Sequence, residues 1–373
     1  MGADYAIIGK DLSVEEKVYL HISSGVIKKI SINSKLDADE YYEDCIIVPG
    51  FINMHTHIAD TLAKEKAYGL ELTKAVSPPS GLKHKILSAT SEMELAEAMS
   101  TAIREMISRG ITTFVDFREG GIAGCKILRE VANTFGINAI IMGRPNSSPI
   151  EKLFEVADGL GLCSLNAYSD DELLNFRTIA RRMNRYIAYH ASETIQQREK
   201  SIKNFGMSDI SRGIKILKPN FIVHLTHADD RDLDLVSANG VLVVLCPRAN
   251  GYFGLGQPPI GPIIRRNINF CLGTDNVMAN SPDLFREFDY IIRIARNQGV
   301  TIAPKKLLES VTTIPSKYLH LNTGVIKQGY RADFFIFDLS KPNVAYIEDP
   351  IKAIVLRGSE SNIISTYLHG QRM

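Results

Sequence analysis

Five of the nine histidines in this chain stand at the polar ends of apolar runs. His55 and His57 close the first such run, His190 the fifth, and His224 and His227 the sixth, while Asp275 closes the eighth. Residues two apart on a strand point to the same side, so His55 and His57 can grip one ion together. Imidazole nitrogens with a carboxylate suit Zn²⁺ and also Fe²⁺, and a position kept open for water makes such a site catalytic instead of structural. Each motif is weak alone. A single strand-end histidine is more often a hydrogen-bonded packing residue than a ligand, and for His227 by itself that is the favoured reading. HxH, HxxE, HxxH and GTD, each closing a separate apolar run in order, form a joint pattern that chance rarely produces. His21, His84, His320 and His369 fit no such pattern and read as structural.

The elements that must bring these side chains together are legible as alternation. Eight short apolar runs lie between about residue 46 and residue 320: IIVPGFINMHTH, ITTFVDF, INAIIMGR, LCSLNAY, YIAYHASE, FIVHLTH, VLVVLCP and INFCLGTD. Near-continuous apolar segments of this length suit parallel strands buried on both faces. Between them lie stretches such as SEMELAEAMSTAIREMISRG and SDDELLNFRTIARRMNRY, apolar at helical spacing and charged elsewhere. Ser91 with Glu94 predicts a capping box at the start of the first of these, and Gly110 its end. The alternation predicts an α/β protein, a (β/α)₈ TIM-like barrel, with a doubly wound open sheet as the competing architecture. A barrel gathers the C-terminal ends of all its strands on one face, which is where the histidines and Asp275 would meet.

The ends differ from the middle. YAIIG and KVYLHISSGVIKKISI, with a Ser-Gly turn, predict a hairpin, and GYRADFFIFDLS and IKAIVLRG read as further strands. Residues 1–48 and 325–373 are therefore expected to form the two parts of one small β-sandwich, flanking a barrel over residues 49–324.

The chain has 373 residues, 45% of them hydrophobic and 23% charged, with a formal net charge of +1. That balance is ordinary for a globular domain and gives no bulk attraction to nucleic acid or to an acidic membrane. The five cysteines are scattered and form no CxxC, so they read as reduced thiols of a cytoplasmic protein. No signal peptide and no run of membrane-spanning length is visible, and Ala6 stands where a myristoylation motif wants Ser or Thr. The expected partner is a small molecule, with no nucleic acid and no membrane, and a homodimer remains open.

PGFINMHTH followed by HASE, VHLTH and LGTD resembles the amidohydrolase superfamily, and within it the branch of cytosine and guanine deaminases, adenosine-homocysteine deaminases and triazine chlorohydrolases. SGVIKKI and GVIKQGYRADFFIFDL resemble the split β-sandwich of that branch, and CPRANGYFGLGQPP its seventh-strand segment, with Ala249 where serine is common. The resemblance implies that His55, His57, His190 and Asp275 bind the metal. It implies that Glu193 exchanges protons with the substrate ring, and that His224 hydrogen-bonds the metal-bound water, with His227 the alternative. A divalent metal lowers the pKa of its water toward about 7 and so provides hydroxide at neutral pH. Asp275 can accept the water's proton, Glu193 can protonate a ring nitrogen, and His224 can steady the oxyanion.

The chain departs from its relatives in having no Trp and a short segment after His57. The fourth run ends Asn166-Ala167-Tyr168 without the lysine that bridges two metals in binuclear members, so one ion is expected, zinc first and iron as the alternative. Arg118, Arg144, Asn166, His227 and Asn250 are candidate substrate contacts, although each singly is more often a loop-stabilising group. Two guanidinium groups, Arg118 and Arg144, would favour an anionic substrate. The expected reaction is deamination of an amino-substituted nitrogen heterocycle such as a nucleobase, nucleoside or pterin. Hydrolysis of a cyclic amide, as in imidazolonepropionase-like members, and removal of chloride are the alternatives, and a non-catalytic binding barrel ranks last.

Overall fold

A computed structural model describes residues 1–33, 38–146 and 148–373. Its strands, in chain order, are β1 (Gly2–Ile8), β2 (Ser13–Ser23), β3 (Val26–Ser31), β4 (Tyr41–Pro49), β5 (Phe51–His57), β6 (Ile111–Arg118), β7 (Asn138–Gly143) and β8 (Gly159–Leu162). They continue with β9 (Tyr186–Ala191), β10 (Phe221–His224), β11 (Leu242–Leu245), β12 (Phe270–Leu272), β13 (Asp275–Asn276), β14 (Phe334–Asp338), β15 (Ile363–Leu368) and β16 (Gln371–Arg372).

Nine of them form one sheet in the order β12-β11-β10-β9-β8-β7-β6-β5-β13, with every neighbouring pair parallel. Its two outermost members, β12 and β13, are consecutive pieces of one run, so the sheet curls until its last strand meets its first. Gly273 makes that meeting tight: a Cβ there would sit 2.7 Å from His55 Cβ. Asn53 stitches the seam, donating to Thr274 Oγ1 at 2.7 Å and accepting from Thr274 N at 3.1 Å. Every residue of β5 and β6 is buried, as expected of strands covered on both faces. On one face Ile52, Met54, Val115, Phe117, Val223 and Val244 form an inner cluster. The alternate residues, among them Phe114, Ile222 and Val243, pack outward under helices that contribute Met99, Leu128 and Leu233.

The helix Glu92–Ser108 starts with the capping box read in the sequence: Ser91 Oγ accepts from Glu94 N at 3.3 Å and Glu94 Oε2 accepts from Ser91 N at 3.0 Å. The fourth strand is displaced from expectation. It lies at Gly159–Leu162, and Leu165–Ala167 form a helical turn in place of a strand, capped by Ser164 Oγ on Asn166 N at 3.2 Å. The true strand, GLGL, hides from a hydrophobicity count because Gly161 lies against Phe117, whose ring a Cβ would approach to 2.7 Å.

Both chain ends enter one seven-stranded mixed sheet, β16-β15-β14-β4-β1-β2-β3, in which only β1 and β4 run parallel. The Ser24-Gly25 hairpin joins β2 to β3 as expected. Ala6, Leu20, Phe334 and Ile336 belong to a cluster of this sheet's own, whereas Ile46, Val48, Phe335 and Phe337 join the main core. The run IKAIVLRG is not a strand. Pro350–Lys352 are helical and Ala353–Arg357 continue as a wide helical turn, because Asp349 Oδ1 accepts from Ile351 N at 3.0 Å and Lys352 N at 3.2 Å. A capping carboxylate ahead of a first-turn proline outweighs the β-branched content of the run.

Candidate metal centre

The C-terminal ends of β5, β9 and β10 and the first residue of β13 place His55, His57, His190, His224 and Asp275 together, all buried. One ligand atom each of His55, His57 and His190, and likewise of His55, His224 and Asp275, lie within 4.8 Å of one another. Asp275 Oδ1 is 3.4 Å from His55 Nε2 and 3.5 Å from His57 Nε2. His224 φ is +79° and Asp275 φ is +62°, left-handed conformations uncommon for non-glycine residues, although His and Asp adopt them more readily than most.

Hydrogen bonding prepares the imidazoles for an ion. His57 Nδ1 faces Phe117 O at 3.0 Å and His190 Nδ1 faces Leu162 O at 3.1 Å. A carbonyl only accepts, so each Nδ1 carries the proton and each Nε2 keeps a lone pair. His224 Nδ1 faces Asn250 Oδ1 at 3.4 Å in the same sense. Both ring nitrogens of His55, and Nε2 of His224, are buried without a hydrogen-bond partner. Buried polar atoms left unmatched are costly. Three imidazole donors and one carboxylate around those atoms fit a divalent metal such as zinc.

Electrostatics agree. Burial pushes the His55 pKa down to about 3, and burial together with the neighbouring imidazoles holds His190 well below its ordinary value, so both are neutral donors. Burial works to raise the Asp275 carboxyl, but the His55 imidazole 3.4 Å away, with His224 and His57 behind it, holds it below the usual range. Glu193 goes the other way: burial raises its pKa against the pull of His224, whose Nε2 lies 3.8 Å from Glu193 Oε1. The loop carrying Glu193 is anchored by Asp209, which accepts from Ser192 N at 2.7 Å and from Gln197 Nε2 at 2.9 Å.

A cavity of about 80 Å³ opens beside these groups, lined by His57, Lys83, Arg144, His190, Glu193 and Asp275, with Leu72, Val76 and Pro78 over it. Of the candidate substrate contacts, only Arg144 lines it. Arg118 does not: it is 1% exposed, ion-paired with Glu119 and 3.3 Å from Asp116, so the expected pair of free guanidinium groups is not formed. Asn166 donates to Gln197 O at 2.8 Å, His227 sits in the turn after β10 with its N on Ser192 O at 3.0 Å, and Asn250 bonds His224 and Thr226. Asn250 therefore positions His224. Lys83 escaped the sequence reading. It is 2% exposed, 2.7 Å from Glu119 Oε1 and 3.5 Å from Asp60 Oδ2, and nothing in the local pattern PPSGLKH announces its burial. The adjacency of Glu119 to Arg118 at a strand end was the one available hint of the buried charge cluster it joins.

A model of the amidohydrolase family matches residues 46–373. A protein of Methanocaldococcus jannaschii is 34% identical, with 96% of this chain and 95% of that one covered. A putative aminohydrolase of Methanothermobacter thermautotrophicus is 32% identical, over 97% and 96%. A 5-methylthioadenosine/S-adenosylhomocysteine deaminase of Pyrococcus furiosus is 23% identical, over 99% and 92%. Among solved structures, an adenosine deaminase from Xanthomonas campestris with bound zinc superposes with a TM-score of 0.86 at 20% identity, over 100% of this chain and 91% of that one. A zinc-complexed atrazine chlorohydrolase from Arthrobacter aurescens gives 0.82 at 17% identity, over 100% and 94%.

Proposed function

The chain belongs to the amidohydrolase family, and we propose that it hydrolyses the exocyclic C–N bond of an amino-substituted nitrogen heterocycle, releasing ammonia. The observation that carries this reading is geometric: two carboxyls line one cavity beside the imidazole cluster, Asp275 lying 3.4 Å from His55 and 3.5 Å from His57, and Glu193 set apart from them, 3.8 Å from His224. Two carboxyls in such different surroundings, with burial raising the pKa of Glu193, are suited to act as acid and base. The deaminase names of several relatives agree with it.

We read the curled sheet as a (β/α)₈ barrel over residues 49–324, and the terminal sheet, from residues 1–48 and 325–373, as a small β-sandwich. His55, His57, His190 and Asp275 would hold one divalent ion, zinc in our reading, which supplies an activated water at neutral pH. Asp275, ionised, takes the water's proton. Glu193, kept protonated, gives its proton to the ring nitrogen beside the amino-bearing carbon, so that negative charge does not build on the ring. His224, held by Asn250, hydrogen-bonds the developing oxyanion. The proton on Asp275 then goes to the departing amine, a poor leaving group without it, and the hydroxyl proton lost as the ring carbonyl forms restores Glu193 to its acid form. Among the described residues no helix is long and apolar enough to cross a membrane. A cytoplasmic enzyme acting on a small molecule, with no nucleic-acid or membrane partner and a homodimer as an open option, is the reading we adopt.

The test is ammonia release by zinc-loaded protein from a panel of aminopurines, aminopyrimidines and pterins. We expect ammonia with a ring carbonyl as product. Opening of a lactam or imidazolone ring with no ammonia from any amino-heterocycle would replace this reading with cyclic-amide hydrolysis.

A further inference from the structure

The segment after β5 folds over the metal site, and its helix Leu82–Ala89 inserts one cation into it. Lysine is almost never fully buried unless paired, because desolvating an ammonium is costly. Lys83 is paired, yet not used up by its partners. An ammonium has three N–H donors. Among the described residues its ion-pair partners are Glu119 Oε1 at 2.7 Å and Asp60 Oδ2 at 3.5 Å, which engage at most two of them. Both carboxylates have other donors: Asn276 Nδ2 at 2.8 Å and Met278 N at 3.0 Å on Asp60, and the Arg118 guanidinium on Glu119. Lys83 also lines the same cavity as Glu193 and Asp275.

We propose that Lys83 is a substrate-contacting residue that donates its remaining N–H to an oxygen on the substrate ring, so that the substrate is an amino-oxo heterocycle and not an oxygen-free aminopurine or aminopyrimidine. The inference rests on the deaminase reading of this site and narrows its substrate class. A ring carbonyl conjugated to the amino-bearing carbon carries partial negative charge, and as the carbon is attacked it takes the share of the displaced charge that proton transfer from Glu193 has not yet neutralised. A cation fixed beside it therefore helps the transition state more than the ground state. A ring without the oxygen leaves a buried N–H unmatched, which is the arrangement that discriminates most strongly between analogues. The cavity, about 80 Å³ against roughly 300–1,000 Å³ for pockets that take drug-sized ligands, suits a free ring.

The experiment compares zinc-loaded wild type with Lys83→Met, Lys83→Gln and Lys83→Arg on matched pairs: guanine against 2-aminopurine, and cytosine against 4-aminopyrimidine. Calorimetric binding of the products xanthine and uracil is measured alongside. Wild type should favour the oxo member of at least one pair, and Lys83→Met should lower kcat/KM for that member by about 10- to 100-fold while leaving the oxygen-free member nearly unchanged. Lys83→Arg should recover part of the loss, and binding of the corresponding product should weaken in Lys83→Met. An equal loss on both members of each pair, or an unchanged ratio, would show that Lys83 only anchors the covering segment and would overturn the proposal. Thermal unfolding checks that the variants fold, and Lys83→Gln, which keeps a donor for Glu119, serves if Lys83→Met does not. Absence of ammonia from every substrate would defeat the deaminase reading. In that case product binding still decides on Lys83, and a wild type that binds neither xanthine nor uracil would sink the inference as well.

Discussion

Glu193 and Asp275 show how much of the chemistry resides in single side chains. Both are carboxyls at the same cluster, and burial acts on both in the same direction. The difference is that Asp275 lies against His55 and His57, at 3.4 and 3.5 Å, whereas the ion-pair partner of Glu193 among the described residues is His224, at 3.8 Å. The nearer imidazoles hold Asp275 ionised, and burial leaves Glu193 with a raised pKa. Glu193→Gln should therefore keep its metal, since Glu193 is not among the proposed ligands, and lose turnover by a factor on the order of 10²–10⁴, the usual share of a positioned proton donor. Metal analysis beside steady-state kinetics checks both halves. Near-normal turnover in that variant would mean that no ring nitrogen is protonated during the reaction. At this scale the sequence was informative about which residues meet wherever that depended on a place at a strand end, as for His55, His57, His190 and Asp275. It was silent where the role depended on what folds over the strand ends. Lys83 looks like any surface lysine of a short helix, and Arg118 looks as free as Arg144, until the structure shows one entering the cavity and the other locked between Asp116 and Glu119.

Strand ends decide which of two histidines can act. His224 is the last residue of β10, and the chain turns left-handed there, with φ of +79° at His224 and +58° at Leu225. That turn leaves His224 Nε2 toward Glu193 and carries His227 into a turn whose backbone is bonded to Ser192 O. The short helix Pro247–Tyr252 then brings Asn250 against His224 Nδ1, and the buried Glu287 accepts from Arg248 at the start of the same helix, at 3.3 Å. His224→Asn should lower kcat well before it changes KM, whereas His227→Asn should leave kcat close to wild type. The opposite ranking would transfer the oxyanion role to His227. Elements were readable in proportion to how far local signals agreed. The helix after Ser91 had periodicity, a capping box and a terminal glycine pointing the same way. The fourth strand did not: GLGL carries little hydrophobicity because Gly161 makes room for Phe117, and the richer neighbouring run LCSLNAY drew the expected strand three residues late. IKAIVLRG misled in the opposite way, since its β-branched residues obscure the Asp349-Pro350 helix start.

Across the molecule, the metal centre ties together parts of the chain that local folding would never bring together. The donors proposed for it come from β5, β9 and β13, and His224 beside them from β10, more than two hundred residues apart at the extremes. The main core runs without a break from the strands and helices around this site into Ile46, Val48, Phe335 and Phe337 of the terminal sheet, so loss of order at the centre is felt by both sheets. An ion bound only by the native arrangement adds stability by mass action, about 4 kcal/mol when free metal exceeds its dissociation constant a thousandfold. Its removal leaves His55 and His190 buried and neutral with little to pair with. In the unfolded chain a histidine takes up its proton near pH 6.5. In the metal-free fold burial delays that uptake to about pH 3 for His55, and well below the ordinary value for His190. Between those limits the unfolded state binds more protons, so the contribution of these histidines is intact above about pH 6.5 and is lost progressively as pH falls toward 3. Chelator-treated protein should therefore show a lower urea midpoint than zinc-loaded protein at pH 7.5, and the midpoint should drop further as the buffer is taken from about pH 6.5 toward 4.5. A His55→Asn, His190→Asn variant, which has no such protons to take up, should show a flatter decline over the same range and no response to zinc. If the variant's midpoint falls as steeply as that of the chelated wild type, acid sensitivity arises elsewhere, and the coupling of this centre to the stability of the whole fold is not carried by its histidines.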